Sequence, residues 1–166
     1  MTELPTGETL TEAEVFAARI ADGQRLLGLD LGTKTIGVAL SDVSRIIASP
    51  LETVIRTKFK ADAARLIDLA TEHRIAGFVL GLPRNLDGSE GPRAQSTRAF
   101  ARNFNRLSPL PILLWDERLS TAAAERTLLE ADTSRRRRAE VIDKLAATII
   151  LQSLLDRLKD RSRNLI

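Results

Sequence analysis

The chain has 166 residues, which is enough for one domain with a single sizeable core and too few for two lobes that close on a ligand. Its composition is 43% apolar but only 4% aromatic, which favours a layered α/β protein, and the absence of cysteine excludes a disulfide scaffold or a thiolate metal site. The formal net charge is +3, no apolar run reaches membrane-spanning length and residues 1–7 lack the pattern of a signal peptide, so we expect a cytoplasmic protein that does not enter a membrane.

Residues 1–24 are predicted to form a helical extension before the main domain. Thr11 and Glu14 have the spacing of a capping box, and the short Ala-rich stretch that they would open stops at Asp22-Gly23. We assign this extension no chemistry. Residues 25–160 are expected to form the main domain, and residues 161–166 are expected to form a tail.

Apolar runs and helical stripes predict the elements of the main domain. The strands are predicted at residues 26–31, 35–40, 46–55, 78–80 and 112–115. The helices are predicted at about residues 61–70, 92–107, 120–130 and 139–158. Three strands with short connections, followed by alternating helices and strands, indicate an α/β fold with a mixed five-stranded sheet and helices on both faces. This is the element order of the RNase H-like fold.

Acidic residues stand out at three places in this order. Asp30 lies in an otherwise apolar strand, where a buried carboxylate has to be paired or bound to a cation. Asp116 and Glu117 occupy the end of the fifth strand, and ligands of open α/β sheets gather beyond the carboxyl ends of the strands. Because adjacent strand residues face opposite sides, only one of these two should join Asp30, and we favour Glu117. Asp143 lies in an apolar helix, whose alanines on the same face allow it to approach the sheet closely.

Three carboxylates drawn together would repel one another, and a hard cation would relieve this repulsion. With oxygen ligands only, no cysteine and a single histidine, the sequence favours Mg²⁺ or Mn²⁺ over zinc. Asp30, Glu117 and Asp143 are therefore predicted to be both the metal ligands and the catalytic residues of a site that hydrolyses phosphodiester bonds.

Basic residues predict nucleic acid as the partner. Residues 135–138 are a block of arginines, which suits phosphate binding but is also typical of a solvated loop. Lys34 ends a Gly-Thr-Lys turn after the first strand, where backbone donors and an ammonium group would meet a phosphate. Arg84 and Arg93 flank the loop that leads into the second helix of the main domain, and Arg118 directly follows Glu117. The residues predicted to bind nucleic acid are Lys34, Arg84, Arg93, Arg118, Arg135, Arg136, Arg137 and Arg138.

Four motifs follow one another between Arg25 and about Arg157. They are Gly28-Leu29-Asp30-Leu31-Gly32-Thr33-Lys34 with Gly37-Val38-Ala39 and Ser41-Asp42, then Gly81-Leu82-Pro83 with Asp87-Gly88-Ser89, then Asp116-Glu117-Arg118-Leu119-Ser120-Thr121, and finally Ile142-Asp143 with Ala146-Ala147. Together they resemble the YqgF family, also called RuvX, of Holliday-junction-resolvase-like and pre-16S rRNA nucleases. The chain departs from the family at Ser120, where many relatives have threonine, and in its longer N-terminal extension.

The resemblance implies an RNase H-like fold, a divalent-metal nuclease activity and catalytic carboxylates at Asp30, in the Asp116-Glu117 pair and at Asp143. It also implies processing of the 5′ end of pre-16S rRNA, while the kinship with RuvC-type resolvases makes branched DNA the alternative substrate. A junction resolvase would need two sites related by symmetry, so a homodimer is left open.

Parts of the sequence also fit two rival functions. The Asp-Leu-Gly-Thr turn resembles the phosphate-binding hairpin of actin-like and Hsp70-like ATPases, but those enzymes bind ATP between two lobes and this chain has the length of one. A non-catalytic nucleic-acid-binding module would use the arginine block as well as a nuclease would.

Overall fold

The computed structural model describes residues 6–120 and 135–164, with side chains described for residues 6–120, 142 and 144–161. In chain order, the strands are β1 (Thr9–Leu10), β2 (Arg25–Leu31), β3 (Thr35–Ser41), β4 (Ala48–Ile55), β5 (Ile75–Leu82) and β6 (Ile112–Asp116). The helices are α1 (Ala13–Arg19), α2 (Phe59–Glu72), α3 (Pro92–Asn105) and α4 (Arg135–Asn164), and a 3-10 turn covers Glu117–Leu119. The helix predicted over residues 120–130 falls almost wholly outside the described residues.

The sheet is mixed and has six strands in the order β1-β6-β5-β2-β3-β4. Strands β1, β6, β5 and β2 run parallel, and β3 is antiparallel to both β2 and β4. Helices α2 and α3 contribute to the apolar core on one face, and α1 and α4 to the core on the other. The predicted α/β fold, with a mixed sheet covered on both faces, is confirmed, although the sheet has one strand more than the five expected.

The composition of a strand follows its place in the sheet. Every residue of β5 is buried, because this parallel strand lies between two others and is covered on both faces. β4 is an edge strand and leaves Ser49, Pro50 and Ile55 exposed. A proline is tolerated in an edge strand because its missing N–H would have no neighbouring strand to donate to.

The sixth strand comes from the N-terminal extension. β1 lies parallel to β6, and the N–H of Ile112 donates to the Glu8 carbonyl at 2.8 Å. A two-residue strand is too short to show a period in the sequence, so it could not be predicted. The predicted capping box is wrong, because α1 begins after Glu12 with no side-chain cap. Glu14 instead forms ion pairs with Arg157 and Arg161 of α4, at 3.5 and 3.3 Å.

Helix α4 extends beyond its predicted bounds of residues 139–158. Arginine is a good helix former, and the arginine block at residues 135–138 belongs to the helix instead of a loop. Despite the length of α4, none of the helices in the described part of the chain is long and apolar enough to cross a membrane.

Helix α4 packs directly on β2 at Gly28. A Cβ atom added to Gly28 would lie 2.7 Å from Leu151 Cβ and 2.9 Å from the Ala147 carbonyl oxygen. These atoms belong to the backbone of the helix or are fixed to it, so the clash has no easy relief. The absence of a side chain at Gly28 is therefore what lets the helix approach the sheet.

Replacing Gly28 by alanine is expected to lower the free energy of unfolding by about 1–3 kcal/mol, because the added methyl group overpacks this contact. Urea unfolding measures the loss. Gly91→Ala is the matched control, since a Cβ there would meet nothing closer than Asn85 Nδ2 at 3.9 Å. Equal unfolding midpoints for the two variants would contradict the close packing of α4 on β2.

Candidate active site

Asp30 and Glu117 are buried carboxylates at the carboxyl end of the parallel strands. Asp30 lies near the end of β2 and is 1% exposed, while Glu117 follows β6 directly and is 6% exposed. Asp30 shares a face of β2 with Gly28, because side chains alternate along a strand. Since α4 packs over Gly28, Asp30 lies on the face that α4 covers.

Gly81 of β5 brings Glu117 towards Asp30. Leu29 pairs with Leu80, so the next pair along the two strands is Asp30 and Gly81. The Oε1 atom of Glu117 lies only 2.9 Å from the position that a Cβ of Gly81 would take. Neighbouring strands are about 4.8 Å apart. The carboxylate of Glu117 therefore lies over the strand next to Asp30, in space that a side chain at position 81 would fill.

Asp116 belongs to the opposite face of the sheet. It alternates with Ile112 and Leu114, which are part of the core beneath α2 and α3. Its carboxylate accepts hydrogen bonds from the Arg118 side chain, the shortest at 2.7 Å, and forms an ion pair with Arg84 at 3.7 Å. The hydrogen bonds from Arg118 hold the pKa of Asp116 below its ordinary value, although burial opposes this. Asp116 is thus an ionised partner of two arginines, while Glu117 shares a face with Asp30.

Asp143 lies in α4, one helical turn before Ala147. The Gln152 side chain accepts from the Ala48 N–H at 2.8 Å, whereas Ala147 lies over Gly28. Ala48 pairs with Ser41, which lies beside the start of β2. Gln152 is therefore near the start of β2 and Ala147 is further along it, so α4 runs antiparallel to β2. The backbone of the helical turn before Ala147, which contains Asp143, is therefore level with Asp30 along the strand. The side chain of Asp143 is outside the described residues, and among those that are described no three acidic, histidine or cysteine side chains form a metal-binding group.

The predicted nucleic-acid-binding residues fall into three groups. Lys34 and Arg93 are exposed, in the β2–β3 turn and in the first turn of α3. Arg84 and Arg118 are engaged in ion pairs with acidic neighbours, Arg84 also with Glu90 at 3.5 Å. The side chains of the block at residues 135–138 are outside the described residues.

The turn after Asp30 is held by a residue that the sequence analysis did not single out. The N–H of Gly32 donates to the Thr35 carbonyl at 2.9 Å, which closes the turn. The backbone N–H of Arg56 donates to the Lys34 carbonyl at 2.9 Å, and Arg56 Nη1 donates to the Gly32 carbonyl at 2.6 Å. Arg56 follows the end of β4 outside every motif noted above, and only the β3–β4 pairing brings it to the turn.

Comparison with known proteins identifies the family. The model of the RuvX family, described as Holliday junction resolvase, matches residues 24–157. The chain belongs to the RuvX family. This confirms the resemblance seen in the four motifs. Membership makes the chain a nuclease, a hydrolase that acts on nucleic acids.

Relatives within the family are similar over nearly their whole length. A protein of Paracoccus denitrificans is 65% identical over 146 residues, which cover 88% of this chain and 92% of the relative. A protein of Cereibacter sphaeroides is 68% identical over 145 residues, covering 87% and 91%. Both relatives carry the name "Putative pre-16S rRNA nuclease".

A solved structure supports the fold. RuvC of T. thermophilus, in complex with a Holliday junction substrate, matches with a TM-score of 0.52 over 82% of this chain and 96% of its own. At 12% sequence identity this likeness shows a shared RNase H-like fold and nothing about the site. The predicted fold family is therefore confirmed.

Proposed function

We propose that this RuvX-family chain hydrolyses phosphodiester bonds with a divalent metal ion, Mg²⁺ or Mn²⁺, held by Asp30, Glu117 and Asp143. One observation carries the proposal: two carboxylates, one in β2 and one directly after β6, are buried on one face of the sheet, beside the helix that bears the third. A buried carboxylate is costly unless it is paired or bound to a cation, and two on one face add mutual repulsion.

The donor set fits a hard divalent cation. Asp30 and Glu117 offer only oxygen atoms, the chain has no cysteine, and His73 lies at the end of α2 instead. Mg²⁺ and Mn²⁺ prefer such ligands, whereas most zinc sites include histidine nitrogen or cysteine sulfur. When bound, such an ion activates water and stabilises the leaving oxygen of a phosphodiester.

The chain's own residues would hold and orient this site. The 3-10 turn fixes Glu117, because the Arg118 N–H donates to Asp116 Oδ1 at 2.9 Å and the Ser120 N–H donates to the Glu117 carbonyl at 3.1 Å. Asp116 would thus act through Glu117, as a positioning residue. Lys34 and Arg93, both exposed beside the strand ends, would bind the phosphates of the substrate.

We further propose the 5′ end of pre-16S rRNA as the substrate, in the cytoplasm. The shared name of relatives above 60% identity supports pre-16S rRNA as the substrate. Branched DNA is the second candidate, favoured by the description of the family as Holliday junction resolvase. The second candidate would call for a homodimer, because two strands of a junction have to be cut symmetrically.

A side-by-side cleavage assay tests the proposal. The pure protein is offered a pre-16S rRNA fragment and a four-way DNA junction, each with Mg²⁺ and with Mn²⁺, and Asp30→Asn is the control. We expect metal-dependent cleavage near the 5′ end of the RNA and none by the control. Cleavage of the junction alone would replace the first substrate by the second. Binding of both substrates without cleavage would contradict the nuclease proposal and favour a binding module.

A further inference from the structure

A small cavity lies at the edge of the sheet that bears the candidate active site. It has a volume of about 160 Å³ and lies between the turn after β2 and the first turns of α3. Two guanidinium groups, three hydroxyl groups and no carboxylate line it. The polar residues of the lining are Thr33, Arg56, Arg93, Ser96 and Thr97. This lining has the chemistry of a site for an anion.

Arg56 is held in one orientation on the wall of this cavity. Its Nη1 donates to the Gly32 carbonyl at 2.6 Å, and its Nε lies 4.0 Å from Asp62 Oδ2. Asp62 is itself buried, 3% exposed, and accepts from the Thr57 N–H at 3.0 Å. The contacts of Arg56 leave Nη2 without an acceptor among the described residues, and the side chain is 32% exposed. A guanidinium that is held in place and has a free Nη2 donor is preorganised to bind an anionic oxygen.

We infer that Arg56 binds a backbone phosphate of the nucleic-acid strand, next to the phosphate that is cut. The inference rests on the proposed function, because it concerns the same substrate. Gly32 and Thr33 follow Asp30 by two and three residues, at most about 7–10 Å along the chain. A strand whose scissile phosphate lies at Asp30 therefore places a neighbouring phosphate within reach of the cavity. Arg93, on the opposite wall, would bind the same phosphate from its other side.

The test measures how the affinity for nucleic acid depends on salt. Each phosphate contact of a cation contributes about 0.7 to the slope of log K against log salt for a single strand. The probe is a fluorescent single-stranded RNA oligonucleotide with the 5′ sequence of pre-16S rRNA, in EDTA so that cleavage does not interfere. We expect Arg56→Gln to bind about tenfold more weakly and to lower the slope by about 0.7. Arg56→Lys keeps the charge and is expected to keep the slope.

Arg65 supplies the matched control. Arg65 lies in α2, and its guanidinium donates to the carboxylate of Glu52 in β4 at 2.6 and 2.8 Å. It does not line the cavity. Arg65→Gln removes the same charge and is expected to leave the slope unchanged. An equal drop in both variants would overturn the inference, because it would reflect the net charge alone.

The outcomes separate this inference from the proposed function. If the wild-type protein binds the RNA and Arg56→Gln weakens binding without lowering the slope, Arg56 only supports the turn and the inference fails. If Arg56→Lys loses as much of the slope as Arg56→Gln, a phosphate contact is likewise excluded. If the wild-type protein binds neither RNA nor DNA with salt-dependent affinity, the proposed function itself fails.

Discussion

Asp30→Asn is expected to lower metal-dependent cleavage by about a thousandfold or more, while affinity for nucleic acid stays within about threefold. Loss of a metal ligand removes several kcal/mol of transition-state stabilisation, and each 1.36 kcal/mol is about a factor of ten in rate. Affinity is spared because binding comes mainly from basic side chains that contact phosphates. Single-turnover cleavage and a binding titration in EDTA give the two values.

The same result is expected for Glu117→Gln and Asp143→Asn, since all three acids are proposed to share one ion. Asp68→Asn, an exposed acid on α2, is the control and should cleave at the wild-type rate. Circular dichroism would establish that each variant is folded. A folded Asp30→Asn variant that cleaves normally would contradict the proposed site.

Gly81→Ala is expected to reduce the cleavage rate by about tenfold to a hundredfold, although it replaces none of the three acidic residues. The new Cβ would lie 2.5 Å from Ile150 Cδ1 and 2.9 Å from Glu117 Oε1, so both groups have to move. Ile150 can shift the end of a flexible side chain, but a displacement of about 1 Å at Glu117 is costly for catalysis. The measurement is the single-turnover rate with saturating metal.

A second substitution separates stability from activity in this variant. Ile150→Val removes the Cδ1 atom, so Gly81→Ala with Ile150→Val should recover the stability lost by overpacking. The clash with Glu117 persists, and activity should therefore stay low. Recovery of both properties in the double variant would show that Glu117 was not displaced. Gly91→Ala again serves as the open-space control.

The sequence predicts those parts of the fold that have a strong local signal. β2 and β5 are nearly continuous apolar runs, which is typical of strands buried on both faces. α3 begins at Pro92, as expected from proline at the first helical position. The four motifs predicted the family correctly, because the family model matches residues 24–157, which contain all four of them.

Other features depend on contacts that are distant along the chain. β1 is ordered by pairing with β6, about a hundred residues away, and its two residues have no pattern of their own. The alternation rule indicated that only one of Asp116 and Glu117 would join Asp30, and only the structure places the Glu117 carboxylate over Gly81. Arg56 reaches the turn after Asp30 through the antiparallel pairing of β3 and β4, which no local motif reveals.

The central claim is that folding brings Asp30, Glu117 and Asp143 together around one divalent ion. Anomalous diffraction from a crystal soaked in Mn²⁺ tests it most directly. We predict an anomalous peak between these carboxylates, with oxygen distances of about 2.1–2.2 Å. A saturated crystal with no peak there, or with the carboxylate of Asp143 too distant to share an ion with the other two, would contradict the claim.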